Sequence, residues 1–121
     1  MIFRVSWYSI SIAMIFYIDR KYHYVGELTI SKPAILKEGT QPKDDDYNML
    51  MLYREPYTFD CVYKIQNPES AKYDVPFAIE MSFLAIEFIK TNHILQIGEE
   101  YKIGRTQTTF GIVKIIKETG N

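Results

Sequence analysis

The side chains in this chain best suited to covalent or metal chemistry are one cysteine and two histidines: Cys61, His23 and His93. A cysteine nucleophile needs a base such as histidine beside it. No C-x-x-C or H-x-x-x-H spacing marks a metal site. Cys61 instead occupies an apolar position in an alternating stretch, where a free cysteine usually belongs to the core. We therefore expect neither a catalytic cysteine nor a bound metal.

The acidic residues do not form a catalytic arrangement either. The consecutive Asp44, Asp45 and Asp46 lack the spacing and the following glycine of an EF-hand calcium loop. Glu99 and Glu100 are adjacent, so they face opposite sides of a strand and cannot work as a carboxylate pair. The phosphate-binding pattern G-x-x-x-x-G-K-[ST] is missing, which argues against nucleotide binding. We expect a non-enzymatic protein without a cofactor.

Two short stretches suit non-covalent binding. The first is a predicted turn that offers cations and backbone amides to a phosphate or a carboxylate: Lys102, Gly104, Arg105, Thr106 and Gln107. The second is a predicted acidic loop that offers carboxylates and an aromatic ring to a basic protein: Asp44, Asp45, Asp46 and Tyr47. A plain closing hairpin with a solvated arginine, and a plain solvated loop, are the alternatives at these positions.

The elements that must position these stretches are mainly strands. Aromatic residues make up 15% of the chain, with ten tyrosines and seven phenylalanines, and such residues favour sheets. Apolar residues alternate with polar ones, or form short apolar runs, in seven segments: residues 7–12, 22–30 (with Gly26 as a candidate bulge), 49–53, 57–65, 75–83, 100–103 and 110–117. A short extended piece at 34–36 and a short helix around 84–90 are additional candidates.

In two of these strands the residue pattern indicates the character of both faces. In residues 57–65 the apolar positions point one way, whereas Thr58, Asp60, Val62 and Lys64 point the other way. The last strand is apolar on both faces, which is typical of a strand that lies between other elements or closes a barrel. We predict an all-β fold: one domain over residues 1–121, a small closed or partly open antiparallel β-barrel of about six to eight strands.

The uncharged residues 5–18 could be mistaken for a signal or membrane segment. They are fewer than the roughly 20 apolar residues that span a bilayer. No small-residue cleavage pattern follows them. Their alternation favours a long first strand inside the sheet, so we expect no membrane contact. A single cysteine suits a reducing compartment, from which we expect a cytoplasmic protein.

The pattern G-x-x-Y-x-I-G-R-T at residues 98–106, followed by G-I-V-K-I-I at 111–116, resembles the end of the C-terminal β-barrel of elongation factor Tu and related translational GTPases. The resemblance runs mainly over residues 75–117. It implies a translation-factor-like barrel whose turn at 104–106 lies near a tRNA backbone. The sequence departs from the family at Gln107–Thr109, where the turn is longer and poorer in glycine, and at Lys102–Ile103, where the family has an acidic residue.

These observations favour a non-catalytic binding module with a protein partner. The formal net charge of −1 argues against RNA, which attracts basic surfaces. Two alternatives stay open: an immunity or inhibitor protein that neutralises a toxin through the acidic loop, and binding of a tRNA-like backbone through the turn at 104–106. A small-molecule or catalytic barrel ranks last, because no polar side chains converge in the sequence.

Overall fold

The computed structural model describes residues 3–5, 21–32, 41–42, 45–105 and 108–120. Within them the chain forms strands β1 (Phe3–Val5), β2 (Tyr24–Ile30), β3 (Asp45–Arg54), β4 (Tyr57–Ile65), β5 (Phe77–Phe83), β6 (Glu100–Arg105) and β7 (Thr108–Glu118). A 3-10 turn at Pro68–Ser70 precedes β5, and a short helix α1 (Ile86–Thr91) follows it.

Six of these strands close into an antiparallel barrel. Their order around the barrel is β4-β3-β6-β7-β2-β5, and β5 pairs again with β4. Strand β1 is an addition: it pairs in parallel with the first residues of β4 at Tyr57–Phe59. The small all-β antiparallel barrel that the sequence predicts is confirmed, and of the two predicted forms, closed or partly open, the barrel has the closed one.

The barrel interior follows from the period-two pattern of its strands. Successive side chains of a strand point to opposite faces, and in a small barrel the inward ones fill the centre. The inward side chains that are almost entirely shielded from solvent include Leu28, Leu52, Phe59, Ile79, Ile103, Val113 and Ile115. Helix α1 closes one end of this core, where Phe88 packs edge-on against the Tyr57 ring at 5.3 Å between ring centroids.

Strand β4 has the predicted bounds. Its first face belongs to the core, as the alternation indicates. On its second face Thr58, Asp60 and Val62 are also buried, and only Lys64 is exposed. Most of this strand is therefore buried on both faces.

Strand β7 carries two bulges, one against each neighbour. Towards β2 the partner changes from Lys117 at Val25 to Ile115 at Gly26, so Ile116 is the extra residue. Towards β6 the partner changes from Gly111 at Ile103 to Thr109 at Gly104, so Phe110 is the extra residue. Bulges bend a strand and redirect its side chains. The irregularity predicted at Gly26 is confirmed, although the added residue lies on β7.

The remaining predicted elements either are present, some with shifted bounds, or lie outside the described residues. The predicted strand at 75–83 begins two residues later, at Phe77, and the short helix is present as α1. The predicted strand at 49–53 starts earlier, at Asp45. The expected first strand at 7–12 and the extended piece at 34–36 lie outside the described residues.

Candidate binding rim of the barrel

Antiparallel pairing of β3 with β6 brings the two predicted binding stretches to one end of the barrel. The pairs are Met51 with Gly104, Leu52 with Ile103, and Tyr53 with Lys102. Because the strands run in opposite directions, β3 begins where β6 ends and β7 begins. We call this end of the barrel, formed by residues 45–50, 104–105 and 108–110, the hairpin rim.

The acidic stretch is part of a strand rather than a loop, which corrects the sequence prediction. Asp45 pairs with Tyr63 and Leu50 pairs with Cys61, so five steps along β3 accompany two steps along β4. The backbone at Asp46 and Tyr47 therefore departs from regular pairing. Asp44 lies outside the described residues.

The cationic stretch is likewise mostly strand. Gly104 is buried in the ladder between Met51 of β3 and Thr109 of β7, so it is not the turn glycine that the sequence predicts. Lys102 and Arg105 are exposed, as expected. Thr106 and Gln107, between the two strands, lie outside the described residues.

Arg105 is held over an aromatic ring at the rim. Its guanidinium carbon lies 5.9 Å from the centre of the Phe110 ring, within the range of a cation–π contact. Phe110 is half-buried and packs against the core, and it is the residue that the β6-side bulge adds. The bulge thus places a ring under the arginine. Sequence analysis missed Phe110, because no local pattern specifies the bulge that positions it.

A second loop is tied to the same rim through the end of β2. Asp74 donates its backbone N–H to the Ile30 carbonyl at 2.8 Å, and its side-chain oxygen accepts the Lys32 N–H at 3.4 Å. Ser31 donates its N–H to the Phe110 carbonyl at 2.9 Å. Val75, next to Asp74, exposes half of its surface. These contacts fix the β4–β5 loop beside the hairpin, and sequence analysis had not connected the two.

The residues suited to chemistry lie elsewhere and serve the fold. His23 is buried; its Nδ1 accepts the Phe83 backbone N–H at 3.0 Å. Burial, and then the charges of Lys90 and Lys21, lower the pKa of His23 to about 4. Burial is also the main reason that the pKa of Tyr24 rises to about 12. These two side chains are therefore uncharged at neutral pH.

Cys61 is buried in the core cluster, which confirms its predicted place. In the part of the chain that the structure describes, no group of three His, Cys, Asp or Glu residues is arranged to hold a metal ion. No described helix combines the length and apolarity needed to cross a bilayer.

Comparison with known proteins gives no relative. No protein-family model, no curated protein and no solved structure matches this chain significantly.

Proposed function

We propose that this protein is a non-catalytic binding module that engages a protein partner through the hairpin rim. The observation that carries the proposal is the meeting of the acidic start of β3 and the cationic end of β6 at one end of a closed barrel. Binding residues are often presented by the ends and loops of a rigid scaffold.

The chemistry of the rim supports a protein as the partner. Arginine and aromatic residues are enriched among the side chains that dominate binding energy, and Arg105 is already oriented by Phe110. Charges of both signs in one place suit a partner surface with complementary charges, because opposite charges steer association. An RNA backbone calls for cations alone, and carboxylates in Asp45 and Asp46 would repel it.

The resemblance to the C-terminal barrel of elongation factor Tu and related GTPases enters as part of this proposal. A β-barrel is the fold that the resemblance implies. The alternatives, an immunity or inhibitor protein and a binder of tRNA-like backbones, differ in which side of the rim they use. A toxin inhibitor would use the aspartates, and an RNA binder would use Arg105. The cytoplasm is the proposed compartment, because a thiol such as Cys61 stays reduced there.

The test is to recover partners from the native host with the tagged full chain and to compare two variants. Arg105→Ala removes the cation, and the pair Asp45→Asn with Asp46→Asn removes two charges at nearly constant shape. For a protein partner, we expect the aspartate variant to slow association and both variants to weaken the complex. Lys64→Gln, an exposed lysine on β4, is the control and should bind like the wild type.

RNA binding would give a different pattern. Arg105→Ala would lower both the affinity and its salt dependence, whereas the aspartate variant would bind as well as the wild type or better. Titration of a fluorescent tRNA at two salt concentrations distinguishes the cases. If neither variant changes binding to the recovered partner, the rim is not the binding site.

A further inference from the structure

The chain enters β2 at the end of the barrel opposite the hairpin rim, and hydrogen bonds fasten this entry to the end of β5. His23 donates its backbone N–H to the Met81 carbonyl at 2.7 Å. The Ser82 hydroxyl donates to the Lys21 carbonyl at 2.6 Å. The Phe83 N–H donates to the ring nitrogen Nδ1 of His23 at 3.0 Å. The last of these bonds differs from the others, because its acceptor can take up a proton.

The same entry is fastened to the end of β7 on its other side. Thr119 donates its backbone N–H to the His23 carbonyl at 3.0 Å and its hydroxyl to the Tyr22 carbonyl. Residues 21–23 therefore lie between the ends of β5 and β7, where the pairing of β2 with β7 begins. We call residues 21–23 the latch, because they hold one end of that pairing together.

His23 takes part in most of these bonds, through its N–H, its carbonyl and its ring. A neutral imidazole has one donor and one acceptor nitrogen, whereas a protonated imidazolium has two donors. The ring is buried, and the bond from Phe83 requires Nδ1 to be unprotonated. Protonation therefore sets two N–H donors against each other and leaves the Phe83 N–H without an acceptor in the interior.

The charges around the ring add to the cost of protonation. Burial is the largest cause that lowers the pKa of His23, and the charges of Lys90 on α1 and Lys21 in the latch add to it. The paired end of β5 carries no charge. At the end of β7, Glu118 acts on Tyr24, whose pKa is raised mainly by burial. Among the described residues, the charges that shift His23 are thus both positive, so a proton on the ring meets repulsion.

We infer that the latch is an acid-sensitive device: protonation of His23 releases residues 21–23 from the ends of β5 and β7 while the barrel stays closed. Release lets the ring hold its proton in water and removes its conflict with the Phe83 N–H. Opening the latch breaks only its own hydrogen bonds, whereas unfolding the barrel also exposes the core, so acid opens the latch first. The latch is closed at neutral pH. This inference does not depend on the proposed binding function.

Native-state hydrogen exchange of the full-length protein, followed by NMR for each amide, tests the inference. Three amides report on the latch, because their N–H groups form its bonds or the bond to its ring: His23, Phe83 and Thr119. The amides of Leu28 and Val113, which pair in the middle of the barrel, report on the barrel itself. Exchange is measured at pH 7, 6 and 5 and at several low urea concentrations, and the rates are corrected for the intrinsic effect of pH.

We expect the latch amides to open more often in acid, by up to about tenfold for each pH unit between 6.5 and about 4, because opening takes up one proton. Urea should hardly change the exchange of these amides, since local opening exposes little surface. Exchange of the barrel amides should depend strongly on urea, because it requires unfolding.

Two variants separate the proton from the bonds. His23→Asn keeps an acceptor for the Phe83 N–H but does not titrate, so latch opening should lose its dependence on pH. Ser82→Ala removes one bond to the latch and keeps the histidine, so the latch should open more often at every pH with the same slope. His93→Asn, at an exposed position, is the control and should behave like the wild type.

Several outcomes would overturn the inference. The first is latch exchange in the wild type that does not increase in acid, a result that stands even if His23→Asn fails to fold. The second is an unchanged pH slope in a folded His23→Asn. The third is latch exchange as sensitive to urea as barrel exchange, which would mean that protonation unfolds the whole protein. If only Phe83 loses protection while His23 and Thr119 keep theirs, the ring merely rotates and the latch does not open.

Discussion

Strands β4 and β7 show opposite relations between the character of a face and its exposure. The second face of β4 carries Thr58 and Asp60, yet both are buried. The second face of β7 carries Ile112 and Ile116, yet both are among the most exposed large apolar residues described, at 45% and 36%. The polar face is covered and the apolar face is open.

The difference shows what alternation can and cannot predict. A period of two identifies which side chains share a face, because the backbone geometry fixes it. Whether the outer face is covered depends on chain segments that are distant in sequence. Burial of a polar face and exposure of an apolar face both cost free energy. Closure of the barrel alone therefore explains neither of them.

The largest predicted effect is a difference in stability between two variants that place a carboxylate on the second face of β4 or on the second face of β7. Val62→Asp puts a carboxylate where the native side chain is fully buried, and we expect a loss of more than about 4 kcal/mol in unfolding free energy. Ile112→Asp places the same group in solvent and should change stability by less than about 1 kcal/mol. Urea denaturation followed by circular dichroism measures both. Equal losses would contradict the contrast between the two strands.

The second effect concerns Gly111 of β7, where the backbone of β2 lies close to the backbone of β7. A Cβ atom added at Gly111 would lie 2.7 Å from the Thr29 carbonyl oxygen, and backbone cannot yield as a side chain can. We expect Gly111→Ala to destabilise the barrel by about 2–3 kcal/mol, in the range of overpacked cores. At Gly26 the nearest atom is a Val113 methyl carbon at 2.9 Å, so Gly26→Ala should cost less. A Gly111→Ala protein as stable as the wild type would rule out tight β2–β7 contact.

The third effect concerns pH and the end of the barrel opposite the rim. The pKa of His23 is about 4 in the folded protein and 6.5 in its ordinary state, so between these values the unfolded chain binds more protons. Stability should therefore fall as pH drops from 7 to 5, by about 2 kcal/mol from this group. His23→Asn keeps an acceptor for the Phe83 N–H but does not titrate, and it should remove that part of the pH dependence.

Urea denaturation at pH 7 and pH 5 measures the difference. His93→Asn, at an exposed position, is the matched control and should retain the wild-type pH dependence. If His23→Asn shows the same loss of stability at pH 5 as the wild type, protonation of His23 is not its cause.

The smallest effect comes from the rim. Arg105→Ala removes the cation above Phe110 and should reduce the unfolding free energy by about 0.5 kcal/mol, as expected for an exposed cation–π contact. Arg105→Lys should lose less. Thermal melting of the three proteins gives the order. A loss of several kcal/mol would mean that Arg105 is structural rather than available for binding.

Much of the fold could be predicted from the sequence, but less of the candidate site. The strand Tyr57–Ile65, the short helix and the bulge at Gly26 follow from local patterns, and so does the barrel. Three consecutive aspartates favour turns, so the sequence predicts a loop at the acidic stretch, whereas pairing of Asp45 with Tyr63 overrides that preference. The contact of Arg105 with Phe110 depends on a bulge that no local pattern specifies.

The meeting of the two predicted binding stretches at one end of the barrel depends on the order of the strands in the sheet, which the sequence does not show. Residues 45–47 and 104–105 are far apart in sequence, and only the pairing of β3 with β6 brings them to one end. Local patterns identify strands, while sites on a barrel arise from the order of those strands.

Closure of the barrel has a consequence for how the protein is made. The last seam joins β2 to β7: one edge of β2 pairs with β5, and the other edge finds its partners only among residues 111–118. A ribosome releases the chain from its N-terminus onward, and this edge of β2 therefore stays unpaired until residues 111–118 have emerged. Contacts this distant in sequence also slow folding. The nascent protein should thus be most vulnerable to aggregation and most dependent on chaperones in the interval between emergence of β2 and emergence of residues 111–118.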